Sequence, residues 1–515
     1  MTDADRTAPR AATIPPTAPA AEREVRRHCH GTPPVEARLE PWQVGLCGQP
    51  ERLQDLVKTY GSPVNVHSTG PFDRNVAQLQ AVAAARRVPL EILFARKADK
   101  ALAYVDRARE LGLGVDTASE EELAQVLAHD VDRTRVVTTA AIKTEALLRA
   151  VIGAGITIVL DNDDELERVL HLAEAAGTTV PVALRFGGFN LDGVTLSTRF
   201  GFEVARGHEL GAQLAGADGR RAVRLEGVHF HLDGYDVAHR IAGVAQLLPL
   251  IDTLREQEHP IRHIDIGGGL PMSYVDDAAQ WSTFRTELHR ALVGARPPIT
   301  YANNGLGLFV HDRQVHGELA LYPYHQDPTA PGWLAALLDA RIGAASVADG
   351  LRARELTLRC EPGRSLLDGC GLTVARVEHR KRHADGSWSV GAAMNRTQCA
   401  TAKADHAVDP LLVPTTETSV SRTGPIEGHL MGAYCTESDL LTWRRLRFPS
   451  GVARGDLVVF PNTAGYLMHF VESRSHRFPL ANNVVLDERG ETFALDAIDD
   501  GTAISFGGRL LPPGG

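Results

Sequence analysis

One lysine stands where a short apolar strand gives way to a helix. Pro89-Leu-Glu-Ile-Leu-Phe94 has the length and composition of a buried strand, and from Ala101 the apolar residues Leu102, Val105, Ala108 and Leu111 recur at helical spacing. Lys97 therefore falls at a strand-to-loop junction. In a (β/α) barrel that junction lies on the C-terminal face, where chemistry is placed, and an amine there can form a Schiff base if its surroundings lower its pKa. Taken alone, an ordinary surface lysine has the same signature.

Two further strand ends change the reading. Ile261-Arg-His-Ile-Asp-Ile266 opens into Gly267-Gly268-Gly269, which lets the backbone come close to an anion and point N–H groups at a phosphate. Glu355-Leu-Thr-Leu-Arg-Cys360 opens into Glu361-Pro362-Gly363-Arg364. A buried Glu361 would keep a pyridine nitrogen protonated, and Arg364 would clamp phosphate or carboxylate. A lysine, a glycine triplet and a Glu–Arg pair at three strand ends describe a site for pyridoxal 5'-phosphate (PLP).

These residues need a frame of parallel strands. Between about residues 66 and 370 strand and helix patterns alternate, with candidate strands at Leu90–Ala95, Gly114–Asp116, Val136–Thr138, Thr157–Leu160, Val182–Phe186, Gly227–His231, His263–Ile266 and Leu356–Cys360. Eight strands in this order predict an α/β fold, a TIM (β/α)8 barrel, rather than a doubly wound open sheet, since no G-x-G-x-x-G turn opens an early helix. Roughly ninety residues separate Gly269 from Glu361, where one βα unit takes about thirty. An insertion is expected near 273–350, as a lid or an interface element. Residues 371–515 break into short β-like runs divided by Gly and Pro and predict a C-terminal β-rich domain. Residues 1–30, rich in Ala, Thr and Pro, read as a disordered tail without the apolar core of a signal peptide, and 31–65 as a segment packing with the β-domain.

Composition sets the outer limits. At 515 residues the chain exceeds what one core supports, so two domains are expected. A net charge of −10 argues against a nucleic-acid surface, and no apolar run approaches the ~20 residues that cross a bilayer. Six cysteines (29, 47, 360, 370, 399 and 435) lack metal-ligand spacing and suggest reduced thiols in the cytoplasm.

Taken together the motifs resemble those of the fold-type III PLP-dependent decarboxylases, the diaminopimelate, ornithine and arginine decarboxylases. Phe94-Ala-Arg-Lys97-Ala98 is similar to the family's Y-A-V-K-A, and Gly112-Leu-Gly-Val-Asp116-Thr-Ala-Ser119-Glu-Glu121 to G-x-G-x-D-x-A-S-x-x-E. Leu184-Arg185 and Ser197-Thr-Arg-Phe-Gly201 match L-R and S-K-F-G, Glu361–Arg364 matches E-P-G-R, and Cys435 with Asp439 matches C-x-x-x-D. Gly465-Tyr466 falls near the family's G-A-Y. The resemblance runs in family order from about residue 60 to 470. It implies an alanine racemase/ornithine decarboxylase-like barrel and β-domain, with Lys97 and Cys435 catalytic and Cys435 contributed by the other subunit of a homodimer. For the cofactor it implies Lys97, Asp116, Arg185, His231, Gly267, Gly268, Gly269, Glu361, Arg364 and Tyr466. Arg199, Thr436 and Glu437 are expected at the substrate, a small amino acid.

Two departures mark a divergent member. The family's H-x-G-S is here His231-Leu232-Asp233-Gly234, which keeps the imidazole expected on the pyridine ring and loses a phosphate-contacting serine. Beside Cys435 the acidic substrate-reading residue is replaced by Thr436, with Glu437 displaced by one. Of His229 and His231, only one is expected to face the barrel interior. The expected reaction is decarboxylation through a Lys97 Schiff base and a quinonoid, on a diaminopimelate-like or unusual amino acid or conjugate. A racemase or epimerase, whose usual second base is a tyrosine where this chain offers Cys435, and a non-catalytic PLP-binding protein are the rivals.

Overall fold

The computed structural model describes residues 19–401, 406–415, 421–498, 505–506 and 509–510. Its centre is a closed parallel barrel of β1 (Leu90–Ala95), β2 (Gly114–Thr117), β3 (Val136–Thr138), β4 (Thr157–Leu160), β5 (Val180–Gly187), β6 (Val223–Phe230), β7 (His263–Asp265) and β8 (Thr357–Cys360). Each strand pairs with the next, and β8 returns to β1 with Leu358 opposite Leu90 and Cys360 opposite Ile92. The short extra strand Phe202–Glu203 lies along β5. Every residue of β2, β3, β4 and β5 is buried, as parallel strands covered by helices require. The sequence marks where each helix begins: Ser119, Thr144, Asn162 and Asp236 each accept a backbone N–H from the first turn of the helix they precede. Such caps contribute about 1 kcal/mol apiece and end the loops that leave the C-terminal strand ends.

The long interval between β7 and β8 is two structures. Helices Ala330–Asp339 and Val347–Ala353 bury Trp333, Leu334, Leu337, Val347 and Leu351 in the barrel's own core, so the insertion is shorter than the expected 273–350. Up to about residue 324 the insertion has a separate core of Tyr274, Trp281, Phe284, Leu288, Tyr322 and Tyr324, joined by Val35, Val408 and Leu467 from outside it. Backbone bonds from Tyr301 N–H to Trp443 O (2.9 Å) and from Arg445 N–H to Ile299 O (2.8 Å) fasten it to the β-domain. It is a packed wedge, with only the hairpin Leu308–His311/Gln314–Gly317 reaching outward.

The β-domain is organised by the twelve-residue strand Gly371–Arg382, which pairs with Val64–His67, Leu457–Pro461 and Trp388–Ala392 along its length. Helices Pro41–Cys47 and Pro50–Tyr60 pack Val44, Leu53 and Val57 against this sheet. The tail expected over 1–30 is corrected at its end, because Pro19–Arg26 is a helix that buries Val25 in the same cluster; residues 1–18 lie outside the described residues.

A buried ionic cluster joins the two domains. Asp99, just past Lys97, lies 3.2 Å from His469 Nδ1 and 3.8 Å from His67 Nδ1, and Nε2 of both rings meets Asn483 Oδ1. Burial disfavours the imidazolium of His469, but Asp99 outweighs it and raises the pKa above the ordinary 6.5. Burial likewise disfavours the Asp99 carboxylate, and His469 and His67 outweigh it, lowering its pKa below 3.8. A raised histidine gives stability that is full below pH 6.5 and lost as pH rises through the folded value. A lowered aspartate gives stability present above 3.8 and lost as pH falls through its own folded value. Thermal melts of the wild type should therefore weaken on the alkaline side of 6.5, and His469→Gln should remove that slope; parallel pH profiles would show that the pair contributes nothing.

Candidate active site

Chain connectivity alone places Lys97 at the barrel mouth. β1 ends at Ala95, and Arg96–Ala98 make a single 3-10 turn that lifts the amine over the strand ends. Lys97 Nζ lies 2.5 Å from Asp116 Oδ2 on β2, and the other Asp116 oxygen accepts from Thr139 Oγ1 at 2.5 Å. Arg185 on β5 donates to the Thr139 carbonyl at 2.6 Å and pairs with Asp161 at 3.2 Å. Asp116 and Arg185 thus belong to one polar chain across the ends of β1 to β5. Burial acts to lower the pKa of Lys97, but Asp116, with Glu361 and Tyr466 adding, more than offsets it and raises the value. The surroundings thus raise the pKa of this amine rather than lower it, and beside Asp116 the ammonium form is favoured in the free protein.

Glu361 follows β8 and sits 3.0 Å from His229 Nε2. Burial, then Arg185, keeps His229 well below its ordinary pKa, so the ring is neutral. Its Nδ1 has no partner among the described residues, which leaves Nε2–H to donate to the Glu361 carboxylate. Asp265, at the end of β7, accepts the Gly267 N–H at 2.9 Å, and burial beside Glu361 raises its pKa well above the usual carboxylate range. His231 stands edge-on to Phe200 at 5.9 Å, and burial lowers its pKa to about 4. The expectation that only one of the two histidines faces inward is wrong, because residues two apart on a strand share a face. His229 is buried against Glu361, and His231, just past the end of β6, lines the cavity above.

The glycine turn is built for close approach. Gly267 and Gly269 have φ of +65° and +85°, and a Cβ on Gly268 would come within 2.9 Å of the Glu361 carbonyl. Behind it lies a residue that pattern reading missed: Arg240, fully buried, donates to Leu232 O (2.6 Å) and Gly268 O (3.2 Å) and so ties the His231 loop to the glycine loop. Its only sequence signal is a cation in the first turn of the helix Val237–Glu256. Arg364 donates from Nη1 to Tyr274 Oη (2.7 Å) and Gly465 O (3.1 Å). Tyr466, at φ +71°, donates its N–H to Ala98 O at 2.8 Å, bringing the β-domain onto the Lys97 turn.

Lys97, His231, Gly268, Glu361, Arg364 and Tyr466 line one cavity of about 500 Å³. An amine, a flat neutral imidazole, a carboxylate, a guanidinium and a glycine turn fit an aromatic aldehyde carrying a phosphate. Asp233, Gly234 in place of the serine, and Tyr322 of the insertion also line it. Cys435, Thr436 and Glu437 line a different cavity, of about 540 Å³, and Cys435 is exposed there. Asp439 shapes that loop by accepting the N–H groups of Tyr434 (2.7 Å) and Arg396 (2.8 Å). Arg199 lies over the Phe200 ring at 4.5 Å and does not line the Lys97 cavity. The three expected substrate residues are therefore not gathered around Lys97 within one chain.

Comparison with known proteins agrees with this geometry. Residues 73–297 match the family described as "Pyridoxal-dependent decarboxylase, pyridoxal binding domain". The chain is 31% identical over 472 residues to the uncharacterized protein y4yA of Sinorhizobium fredii, covering 90% of this chain and 96% of that one. It is 26% identical over 356 residues to a diaminopimelate decarboxylase of Pseudomonas aeruginosa, covering 67% of this chain and 70% of the relative. The crystal structure of diaminopimelate decarboxylase from Helicobacter pylori complexed with L-lysine shares the fold, with a TM-score of 0.62 at 15% identity over 87% of this chain and 98% of that one. With a cavity that fits the cofactor and relatives of this kind, the chain belongs to the fold-type III PLP-dependent decarboxylases, as a divergent member whose cofactor is pyridoxal 5'-phosphate.

Proposed function

We propose that this chain is a decarboxylase of an α-amino acid, diaminopimelate-like or an unusual amino acid or conjugate, working as a cytoplasmic homodimer with shared sites. The observation that carries the reading is the convergence of Lys97, His231, Glu361 and Arg364 on one cavity. When bound, PLP supplies an electron sink for the pair left on Cα as carbon dioxide departs.

The chain's residues have separate tasks in this reading. Lys97 is the covalent anchor, and Asp116 is placed to take up its proton when the amine must be neutral. His229 donates to Glu361 and aims that carboxylate, so that it can stabilise a protonated ring nitrogen. His231, neutral, offers a flat face for packing. Gly267–Gly269 and Arg364 would hold the phosphate, and Arg185 holds the Thr139 loop on which Asp116 leans. Return of a proton to Cα falls to Cys435 of the partner subunit, with Thr436 and Glu437 of the same loop, and Arg199, reading the substrate side chain. Support for the partner's role is the placement of Cys435 on an exposed loop outside its own chain's Lys97 cavity.

The test is an absorbance spectrum of the purified protein followed by titration with D- and L-amino acids and diamino diacids while carbon dioxide is monitored. Carbon dioxide release with one substrate supports the proposal. Stereochemical inversion without carbon dioxide would make the chain a racemase instead.

A further inference from the structure

The insertion has a second role, which rests on the assignment of the Lys97 cavity to the cofactor. Buried Arg444 and Arg185 each meet a carboxylate, Asp409 and Asp161. Arg364 has no carboxylate within salt-bridge distance among the described residues; its hydrogen bonds go to the neutral Tyr274 hydroxyl and the Gly465 carbonyl. Three aromatic rings surround the guanidinium, Tyr322 at 4.3 Å, Tyr466 at 5.1 Å and Tyr274 at 6.0 Å. Two of the three belong to the insertion.

The nearest ring cannot swing away. Tyr322 Oη accepts from Met272 N–H (3.2 Å) and from Gln326 Nε2 (2.7 Å) and lies 3.1 Å from Met272 O. Tyr235 and Tyr274 meet its ring edge-on at 5.2 and 5.4 Å. A carboxylate would also fix an arginine, but it would cancel the charge. Aromatic faces attract the cation and orient it while leaving the whole charge for an incoming anion. The need for that charge is local: at the cavity wall where the family has a hydroxyl donor this chain has Gly234, which carries no side chain to donate to phosphate.

We propose that Tyr274 and Tyr322 are positioning residues that hold Arg364, uncompensated, for the cofactor's phosphate, so that the insertion selects the phosphorylated form of the cofactor. The apoprotein is titrated separately with PLP and with pyridoxal, which lacks the phosphate, and binding is followed by absorbance. Tyr322→Leu should weaken PLP by about tenfold and change pyridoxal by less than about twofold, the scale of one desolvated cation–π contact. Tyr322→Phe, which keeps the ring, should stay within about threefold of the wild type for both. Equal losses for the two ligands in Tyr322→Leu would overturn the inference, since the ring would then be only a wall of the cavity. Unchanged PLP affinity would overturn it as well. A wild type that binds neither ligand would remove the site assignment itself and this inference with it.

Discussion

Lys97→Ala should lower turnover by at least about a thousandfold and abolish the bound-cofactor absorbance, because the covalent anchor has no substitute within reach. The variant also strips Asp116 of its ammonium partner while leaving the Thr139 hydroxyl bond, so some loss of stability is expected in addition. Lys97→Arg separates the two effects. It restores a cation beside Asp116 but supplies no amine that can be deprotonated, so it should recover the melting temperature and none of the activity. If Lys97→Arg or Lys97→Ala kept both the absorbance and carbon dioxide release, the lysine at the end of β1 would be an ordinary ion-pair residue and the central assignment would fail.

Cys435 carries the second large effect. Cys435→Ala should cut kcat by about 10²–10⁴, the usual worth of a positioned proton donor, with PLP affinity unchanged because the thiol serves the substrate's Cα and is not among the groups that would hold the cofactor. Its position leads to a stronger expectation. Mixed under conditions of subunit exchange, inactive Lys97→Ala and Cys435→Ala chains should recover about a quarter of the wild-type sites, since half the dimers are hybrids and each hybrid has one intact site. No recovery, with exchange shown independently, would rule out sharing across the dimer.

What could be read from the chain and what could not divides along physical lines. The barrel strands were legible because each is a short, largely buried apolar run; Leu90–Ala95, Val136–Thr138 and Thr157–Leu160 are found where the pattern puts them. Lys97, Gly267–Gly269 and Glu361–Arg364 were legible because strand ends in such a barrel converge on one face. The cage around Arg364 was not, since Tyr274, Tyr322 and Tyr466 come from three places in the chain and carry no periodicity that announces a meeting. Arg240 escaped for a related reason: a cation in a helix's first turn reads as solvated until a glycine loop lies against it. The ammonium state of Lys97 depends on a 2.5 Å contact with Asp116, a magnitude that no spacing encodes.

The strand Val64–His67, laid between Gly371–Arg382 and Asn482–Leu486, makes the barrel a guest within the second domain rather than a neighbour to it. A ribosome delivers that strand before any of the barrel and its partners only after all of it. During synthesis the early edge must wait exposed while the barrel closes, and the Tyr466 contact with the Lys97 turn comes only after the whole barrel has been made. Cofactor capture is therefore an event of the finished chain, and the exposed strand makes slow elongation through residues 371–486 the stage at which misassembly competes.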